Sequence, residues 1–278
     1  MIDEKEILRR RDMRDVLTFT IDPDEAKDFD DALSFQILDT GNYQIGIHIA
    51  DVTHYVQEQT ALDDEAYQRG TSIYLVDRVI PMLPERLSNE LCSLRPHEDK
   101  LCMSVVVEMD PNAKVVRHKI CRTIICSNFR LTYRQAQDIL ENTATSSFSG
   151  SNDKHLSEAL HVLDTLAKLL RANRFRQGAI NFESPEVHFR LDDQGEPTEI
   201  FFHNSLDTNH LIEEFMLLAN RIVAAEIGKK KKDKEGETKE ASRPFVYRVH
   251  DNPDPEKIGR LSTFIKRFGL HLKISSNS

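Results

Sequence analysis

Five aspartates lie within ten residues of the stretch T-I-D-P-D-E-A-K-D-F-D-D-A-L, which runs from Thr20 to Leu33. Like charges this close raise one another's pKa and cost stability unless a positive charge lies among them. That charge could come from a bound cation or a basic partner, or water alone could surround the carboxylates. The stretch is therefore the first candidate for a functional site, and its aspartates are Asp22, Asp24, Asp28, Asp30 and Asp31.

Two familiar structures account poorly for the acidic stretch. An EF-hand calcium loop is excluded, because it needs Gly and Glu at its sixth and twelfth positions, where Lys27 and Leu33 stand. A surface turn capped by aspartate suits Asp24, which follows Pro23. The other four aspartates fit a turn less well, because Phe29 and Leu33 place them beside apolar neighbours.

A site for hard divalent cations is the third interpretation. Mg²⁺ takes oxygen ligands and is usually held by a few carboxylates together with substrate phosphates and water. Two such ions about 4 Å apart can activate water and stabilise the leaving oxygen of a phosphodiester. The spacing leaves this interpretation and the turn interpretation both open.

Periodicity predicts the elements on either side of the acidic stretch. Residues 4–16 are predicted as a charged helix and residues 17–21 as a strand. Residues 32–38 and 43–50 alternate apolar and polar side chains around a Gly-Asn pair, which predicts a hairpin. The acidic stretch is therefore expected on a connection between strands, supported by a sheet.

The rest of the chain is predicted as further helices, strands and loops. Thr132 and Gln135 form a capping-box pattern that opens a helix. Glu213 and Glu214 are adjacent on an apolar helix, so at least one is expected to face a polar cavity or a cation. Helices are predicted at 61–69, 133–141, 154–177, 209–227 and 255–268, strands at 101–109, 115–127, 180–202 and 245–249, and loops at 70–100, 143–153 and 229–242, the last disordered.

Composition restricts the class of protein. The chain has 278 residues, a net charge of -9 and 39% hydrophobic residues, which is typical of a soluble globular protein. The negative charge argues against coating nucleic acid by bulk charge, although a local basic groove remains possible. No apolar run approaches the roughly 18 residues of a membrane span. The cysteines lack metal-ligand spacing, so we expect a reduced, cytoplasmic protein that does not bind membranes.

The acidic stretch resembles the signature of the RNB catalytic domain, which is found in the ribonuclease II and ribonuclease R exoribonucleases. The resemblance is nearest to ribonuclease R and spans nearly the whole chain in order. It implies an α+β fold, with a mixed sheet flanked by helices. Its further motifs are G-I-H-I-A-D-V-T-H-Y-V, R-G-T-S-I-Y-L-V-D-R-V-I-P-M-L-P, L-S-N-E-L-C-S-L, G-A-I-N-F-E-S-P-E-V, H-L-I-E-E-F-M-L-L-A-N and P-F-V-Y-R-V-H-D-N-P-D-P-E-K.

The resemblance implies a Mg²⁺-dependent exoribonuclease, with Mn²⁺ as a substitute ion. Such an enzyme hydrolyses single-stranded RNA from the 3′ end and releases nucleoside 5′-monophosphates; DNA is not expected as a substrate. The loss of Asp30 is expected to harm the chemistry most. The family's catalytic and metal-binding aspartates match Asp22, Asp28, Asp30 and Asp31, whereas Asp24 falls at a position that the family does not use.

Four further residues are implied in RNA binding. Tyr74 matches the aromatic that clamps the terminal nucleotide, and stacking on it would be tolerant of base identity. A packed anchor for the loop is the structural alternative for this tyrosine. Phe182 matches a second stacking aromatic, and Tyr133 a third. Glu213 matches the glutamate near the 3′-terminal nucleotide, with Glu214 as the alternative.

The resemblance also implies that residues 1–278 are one RNB domain, truncated at its C-terminal end. A family segment rich in Ser-Pro-Ile-Arg-Arg, whose arginine grips the scissile phosphate, is not found here, nor are the cold-shock and OB-fold RNA-binding domains. We therefore expect a monomer with weak metal binding and little or no activity by itself. A non-catalytic RNA-binding protein and another metal-dependent phosphodiesterase are the competing hypotheses.

Overall fold

The computed structural model describes residues 2–142, 151–180, 186–192, 194–203, 205–228, 231–232, 238–239, 245–247, 249 and 252–272. The chain divides into two compact units, Met1–Ala225 and Glu226–Ser278. Among the helices that are described, none combines the length and the apolar character needed to cross a membrane.

A seven-stranded sheet forms the centre of the first unit. The strand pair at each edge of the sheet is parallel, whereas the four inner pairs are antiparallel. The predicted mixed sheet is therefore confirmed. In spatial order the strands are β1 (Arg11–Asp12), β8 (Val115–Cys126), β7 (Asp99–Met109), β4 (Tyr43–Ala50), β3 (Asp31–Ile37), β2 (Thr18–Asp22) and β9 (Phe129–Thr132).

The larger apolar core lies between one face of this sheet and three helices. The helices are α4 (Tyr133–Leu140), α5 (Ser151–Arg176) and α6 (Asp207–Gly228). Phe19 and Leu33 from the strands pack in one cluster with Leu163 and Phe215 from the helices. Leucines recur along α5 at helical spacing, so that this helix presents a continuous apolar stripe to the sheet.

The second face of the sheet carries a smaller core and the elements that surround the acidic stretch. This core contains Phe29, Ala32 and Leu94, which join the acidic stretch to strand β3 and to the segment before β7. The predicted loop at 70–100 contains short elements of its own. The elements on this side are α1 (Glu4–Leu8), α2 (Val52–Tyr55), α3 (Ala61–Arg69), β5 (Ile73–Tyr74), β6 (Val79–Ile80) and a π-helical turn at Arg86–Leu91.

The helix predicted at 4–16 is wrong beyond Leu8. Arg10 turns into the interior, where its Nη2 donates a hydrogen bond of 2.6 Å to Asp51 Oδ2, and neither side chain is exposed. A buried charge needs such a partner, so the chain leaves the helix to place Arg10 against Asp51. Strand β1 then follows at Arg11.

Three further predictions, two of loops and one of a strand, differ from the structure. Residues 151–153 belong to helix α5 and not to a loop, while the rest of the loop at 143–153 lies outside the described residues. The strand predicted at 245–249 is wrong, because 245–247 and 249 are not in a strand. The prediction of a disordered loop at 229–242 is wrong where β12 (Lys231–Lys232) pairs with β13 (Thr238–Lys239), because backbone hydrogen bonds order these residues, and the remainder lies outside the described residues.

Several local signals are confirmed. The Thr132 capping box forms both of its hydrogen bonds at the start of α4. Strands β10 (Glu186–Leu191) and β11 (Pro197–His203) pair antiparallel around the predicted turn, where Gly195 has a φ of 82°. Helix α7 (Pro255–Lys266) begins after an Asp254 cap. All four cysteines are free thiols, as their spacing predicted.

A buried chain of hydrogen-bonding side chains crosses four strands on the second face of the sheet. His48 Nδ1 lies 2.7 Å from Ser104 Oγ, and its Nε2 lies 2.9 Å from Ser34 Oγ. Ser104 Oγ lies 2.6 Å from Thr123 Oγ1. Burial lowers the pKa of His48 to about 3, so that the imidazole is neutral at pH 7. Gly46 leaves the space that this chain occupies, because a Cβ there would overlap Ser34 Oγ and His48 Nε2.

Gly46→Ala is therefore expected to lower the free energy of unfolding by about 1–3 kcal/mol, because the added methyl group must displace buried polar atoms that have no room to move. Urea unfolding followed by circular dichroism would measure the change. Gly259→Ala is the matched control, since a Cβ meets nothing within 4 Å there and the position lies inside helix α7. An equal change in the free energy of unfolding in Gly46→Ala and Gly259→Ala would contradict the packing argument.

Candidate active site

The acidic loop, residues 23–30, connects the end of strand β2 to the start of β3. Asp22 is the last residue of β2 and Asp31 is the first residue of β3, so both side chains are fixed by the sheet. Asp22 pairs in register with Thr132 of β9, and Asp31 with Ile49 of β4. The prediction that the cluster lies on a connection supported by a sheet is confirmed.

The second half of the acidic loop is anchored through Phe29. The Phe29 ring is buried, its backbone N–H donates to Ser93 Oγ (3.0 Å), and its carbonyl accepts from the Leu94 N–H (2.8 Å). Ser93 Oγ in turn donates to the Lys27 carbonyl (2.9 Å). The loop is therefore held between the sheet and the segment at Ser93 by contacts within the protein.

The first half of the acidic loop is held by Arg130, a contact that sequence patterns did not predict. Arg130 Nη2 donates to the carbonyls of Pro23 (2.7 Å) and Asp24 (3.0 Å). Its guanidinium lies 5.3 Å from the centroid of the Phe29 ring. More than one hundred residues separate Arg130 from the loop, and only the pairing of β9 with β2 brings them together.

A pocket of about 760 Å³ opens beside the acidic loop. Asp28 and Asp30 lie on one side of it, and Tyr74 lies on another. Lys27 and Arg78 bring positive charge to the same pocket. Its other lining residues are Glu25, Val52, Gly70, Thr71, Ser72, Val79, Pro81, Met82, Leu83, Glu85, Ser88, Asn89 and Cys92.

The carboxylates of the site are held partly out of water. Burial, with a contribution from the charge of Asp31, raises the pKa of Asp22 to about 7. Burial and the neighbouring Asp30 raise the pKa of Asp31 to about 6, and burial and Asp28 raise the pKa of Asp30. These side chains therefore lie close enough to repel one another.

Two of the buried carboxylate oxygens have no hydrogen-bond partner within the described part of the chain. They are Asp22 Oδ2 and Asp31 Oδ2. Buried carboxylate oxygens without partners are rare in folded proteins and suit a cation or a donor from a ligand. Across the described residues, however, no three His, Cys, Asp or Glu side chains converge closely enough to enclose a metal ion by themselves.

The predicted aromatic residues have different surroundings. Tyr74 is 71% exposed and lines the pocket, which argues against a packed anchor for the loop. Tyr133 is partly buried against the larger core at the start of α4, directly after Thr132, and it does not line this pocket. Phe182 lies outside the described residues. The structure thus brings Tyr74, but not Tyr133, together with Asp28 and Asp30.

The two adjacent glutamates share an arginine. Arg174 Nη2 donates to Glu213 Oε1 (3.1 Å) and to Glu214 Oε1 (2.5 Å). Glu214 is buried, whereas Glu213 is exposed and also lies 3.4 Å from His210 Nδ1. The expectation that one glutamate faces a cation is confirmed, and Glu213 is the one with an accessible carboxylate.

The comparisons with known proteins agree with this fold and with the acidic signature. The sequence profile of the RNB domain family matches residues 10–277. Ribonuclease R of Thermotoga maritima is 42% identical over 99% of this chain and 37% of its own length. The DIS3-like exonuclease 2 of Schizosaccharomyces pombe is 38% identical over 100% of this chain and 30% of its own length. The chain thus spans about one third of the length of these relatives.

Solved structures match over the same extent. Mycoplasma genitalium RNase R, in complex with ribose-methylated single-stranded RNA, superposes with a TM-score of 0.85 at 27% identity, over 100% of this chain and 41% of the other. Yeast Ssd1, described as a pseudonuclease, has the same fold at 18% identity, with a TM-score of 0.71 over 99% of this chain and 32% of the other. The profile match and the curated relatives together establish that this chain belongs to the RNB domain family.

Proposed function

We propose that the protein is a metal-dependent hydrolytic exoribonuclease, which removes nucleoside 5′-monophosphates from the 3′ end of single-stranded RNA. The observation that carries this proposal is the set of desolvated carboxylates on a preformed loop beside a pocket that contains Tyr74. The names of the relatives, ribonuclease R and DIS3-like exonuclease, support the same activity.

Mg²⁺, or Mn²⁺ in its place, is the cation that we assign to these carboxylates. The donor set consists of hard oxygen atoms, and the unpartnered Asp22 Oδ2 and Asp31 Oδ2 are suited to such an ion. Mg²⁺ usually completes its shell with water and substrate phosphates, so a site without three converging protein ligands is compatible with it. When bound, the ion would lower the pKa of a water molecule and stabilise the leaving oxygen.

The residues of the chain have separate tasks in this proposal. Asp22 and Asp31 hold the ion on the rigid ends of their strands, and Asp28 and Asp30 extend the site into the pocket. Asp30 is the residue assigned to orienting the attacking water. The exposed Tyr74 ring stacks on the terminal base, which selects for a single strand without reading its sequence.

The remaining assignments concern the contacts along the RNA, the oligomeric state and the cellular compartment. Glu213 contacts the 3′-terminal nucleotide, and Tyr133 and Phe182 stack on bases further along the strand. We infer that the protein acts as a monomer on RNA and not on DNA. Its four free thiols support a reducing compartment, for which the cytoplasm is our proposal.

Asp30→Asn should reduce RNA hydrolysis by roughly two orders of magnitude or more, because it removes a charge at the reacting centre. The measurement is a denaturing gel of 5′-labelled single-stranded RNA incubated with Mg²⁺, with single-stranded DNA as a second substrate. Asp24→Asn is the matched control, an identical change in the same loop outside the assigned site. A ladder that shortens from the 3′ end, on RNA only and absent in Asp30→Asn, is the expected result.

Other outcomes of the gel would point to the competing hypotheses. Cleavage of DNA as readily as RNA would indicate a different metal-dependent phosphodiesterase. RNA that is bound but never shortened, in wild type and both variants, would show that residues 1–278 are not catalytic by themselves. Repeating the gel with a chain extended past Ser278 would then separate the two hypotheses, because only a non-catalytic RNA-binding protein would again leave the RNA intact.

Tyr74→Ala is expected to weaken RNA binding by about ten- to a hundredfold, since base stacking on an aromatic ring contributes about 1–3 kcal/mol. Fluorescence anisotropy with a short labelled oligonucleotide, in Ca²⁺ to prevent hydrolysis, would measure it. Tyr74→Phe keeps the ring and should bind within about twofold of the wild type. Equal loss in both variants would show that the hydroxyl group, and not stacking, holds the RNA.

The metal-free protein should lose stability as the pH rises, through Asp22. Its pKa of about 7 in the folded state exceeds its ordinary value of 3.8, so the folded state binds a proton that the unfolded chain lacks. This contribution is present near pH 4 and is lost as the pH rises through 7. Between pH 4.5 and pH 7.5, the free energy of unfolding of Asp22→Asn should therefore rise by about 1–3 kcal/mol relative to that of the wild type. Urea unfolding in the presence of a chelator would measure this change.

Addition of Mg²⁺ should reverse this difference at pH 7.5, because the ion stabilises only the folded protein that binds it. The wild type should then melt at a higher temperature, and Asp22→Asn should change little. A difference between the two proteins that is independent of pH would mean that the Asp22 carboxylate is not desolvated.

A further inference from the structure

Arg130 occupies a position that no other described side chain shares, because it contacts both ends of the acidic loop. One nitrogen, Nη2, binds the Pro23 and Asp24 carbonyls at the start of the loop. The same guanidinium lies over the Phe29 ring near the end of the loop, with Cζ 5.3 Å from the ring centroid. A single rigid group therefore fixes the distance between the two halves of the loop.

The chemistry of arginine suits this double contact. The guanidinium is planar and presents several donors in a fixed fork, so one group can bind two carbonyls and still stack on an aromatic ring. Lysine has one flexible ammonium group and cannot reproduce both contacts with the same geometry. The strand pairing of Arg130 with Thr20 holds its backbone beside β2, and thus beside Asp22.

The positive charge of Arg130 also acts on one carboxylate of the site. It lowers the pKa of Asp22, which burial and the charges of Asp31 and Asp28 raise. Strand β9 therefore supplies a positive charge beside the acidic loop, although it offsets only part of the repulsion. Loss of this charge and of its hydrogen bonds would leave the first half of the loop with few restraints, of which one is the Ala26 N–H donating to the Pro23 carbonyl (3.2 Å).

We propose that Arg130 is a positioning residue, which fixes the acidic loop and thereby the places from which Asp28 and Asp30 would bind the metal ion. The effect of Arg130 on catalysis rests on the proposed function. Its effect on the shape of the acidic loop does not. Arg130 contacts the backbone and the Phe29 ring, so it acts through the carboxylates and does not touch the reacting phosphate.

The first test is hydrogen–deuterium exchange of the metal-free chain, which requires neither metal binding nor RNA hydrolysis. The variants are Arg130→Lys and Arg130→Gln. Arg134→Lys and Arg134→Gln are the matched controls, because Arg134 is an exposed arginine four residues away that pairs with Asp138. In both Arg130 variants, the hydrogen-bonded amides of Ala26 and Phe29 within the acidic loop should exchange about tenfold faster, whereas the rest of the sheet and both controls should remain as in the wild type.

The second test is a Mn²⁺ titration of melting temperature in the same five proteins. The Arg130 variants should need about tenfold more Mn²⁺ for half of the maximal shift, and kcat for RNA should fall by a similar factor while KM changes less than twofold. An absence of any Mn²⁺ shift in the wild type would count against the proposed metal site, and the exchange result would then decide the role of Arg130 alone.

Three results would overturn the positioning role. Unchanged exchange at 23–30 in Arg130→Gln would show that the loop holds its shape without the arginine. Faster exchange throughout the sheet, or failure of both Arg130 variants to fold, would make Arg130 a general stability residue. A rise in KM for RNA with unchanged exchange would make it a direct phosphate contact.

Discussion

The mutual repulsion of carboxylates held out of water is the constraint on which the rest of this site depends. Asp22 and Asp31 lie at the ends of adjacent strands, where the sheet leaves them little freedom to move apart. Ion desolvation and like charges both disfavour the ionised forms, which is why their pKa values are raised. A fold that keeps such a cluster near neutral pH must supply positive charge from a residue, an ion or a substrate complex.

The residues around the carboxylates anchor the acidic loop and the start of helix α2. Phe29 ties the acidic loop to the smaller core, and Arg130 ties its first turn to strand β9. The buried pair of Arg10 and Asp51 fixes the start of helix α2, whose first residue, Val52, lines the pocket. Each anchor is a charged or aromatic side chain with a specific partner, so the loop is held at both ends although it has no regular secondary structure.

Preorganisation of this kind is favourable for phosphodiester chemistry. Carboxylates that are already in place need no reorganisation when the ion and the phosphate arrive, and this is where electrostatic catalysis gains most of its advantage. Burial and the closeness of the carboxylates raise the pKa values of Asp22 and Asp31, which is an electrostatic cost that a bound cation would offset. The fold is shared with a protein described as a pseudonuclease, so function depends on the residues of the site and not on the fold.

The sequence by itself determined the elements and the chemical character of the site. Alternation in 43–50 defined a strand, the Thr132 capping box defined a helix start, and the acidic signature defined the family, because these signals are local. Tertiary structure alone decided which groups meet. Helix α1 ends before Arg10 because a buried arginine must reach Asp51, and Arg130 reaches the acidic loop through the parallel pairing of β9 with β2. Contacts between residues far apart in the chain leave no local pattern, so the sequence predicted the carboxylates but not the arginine that holds the backbone of their loop.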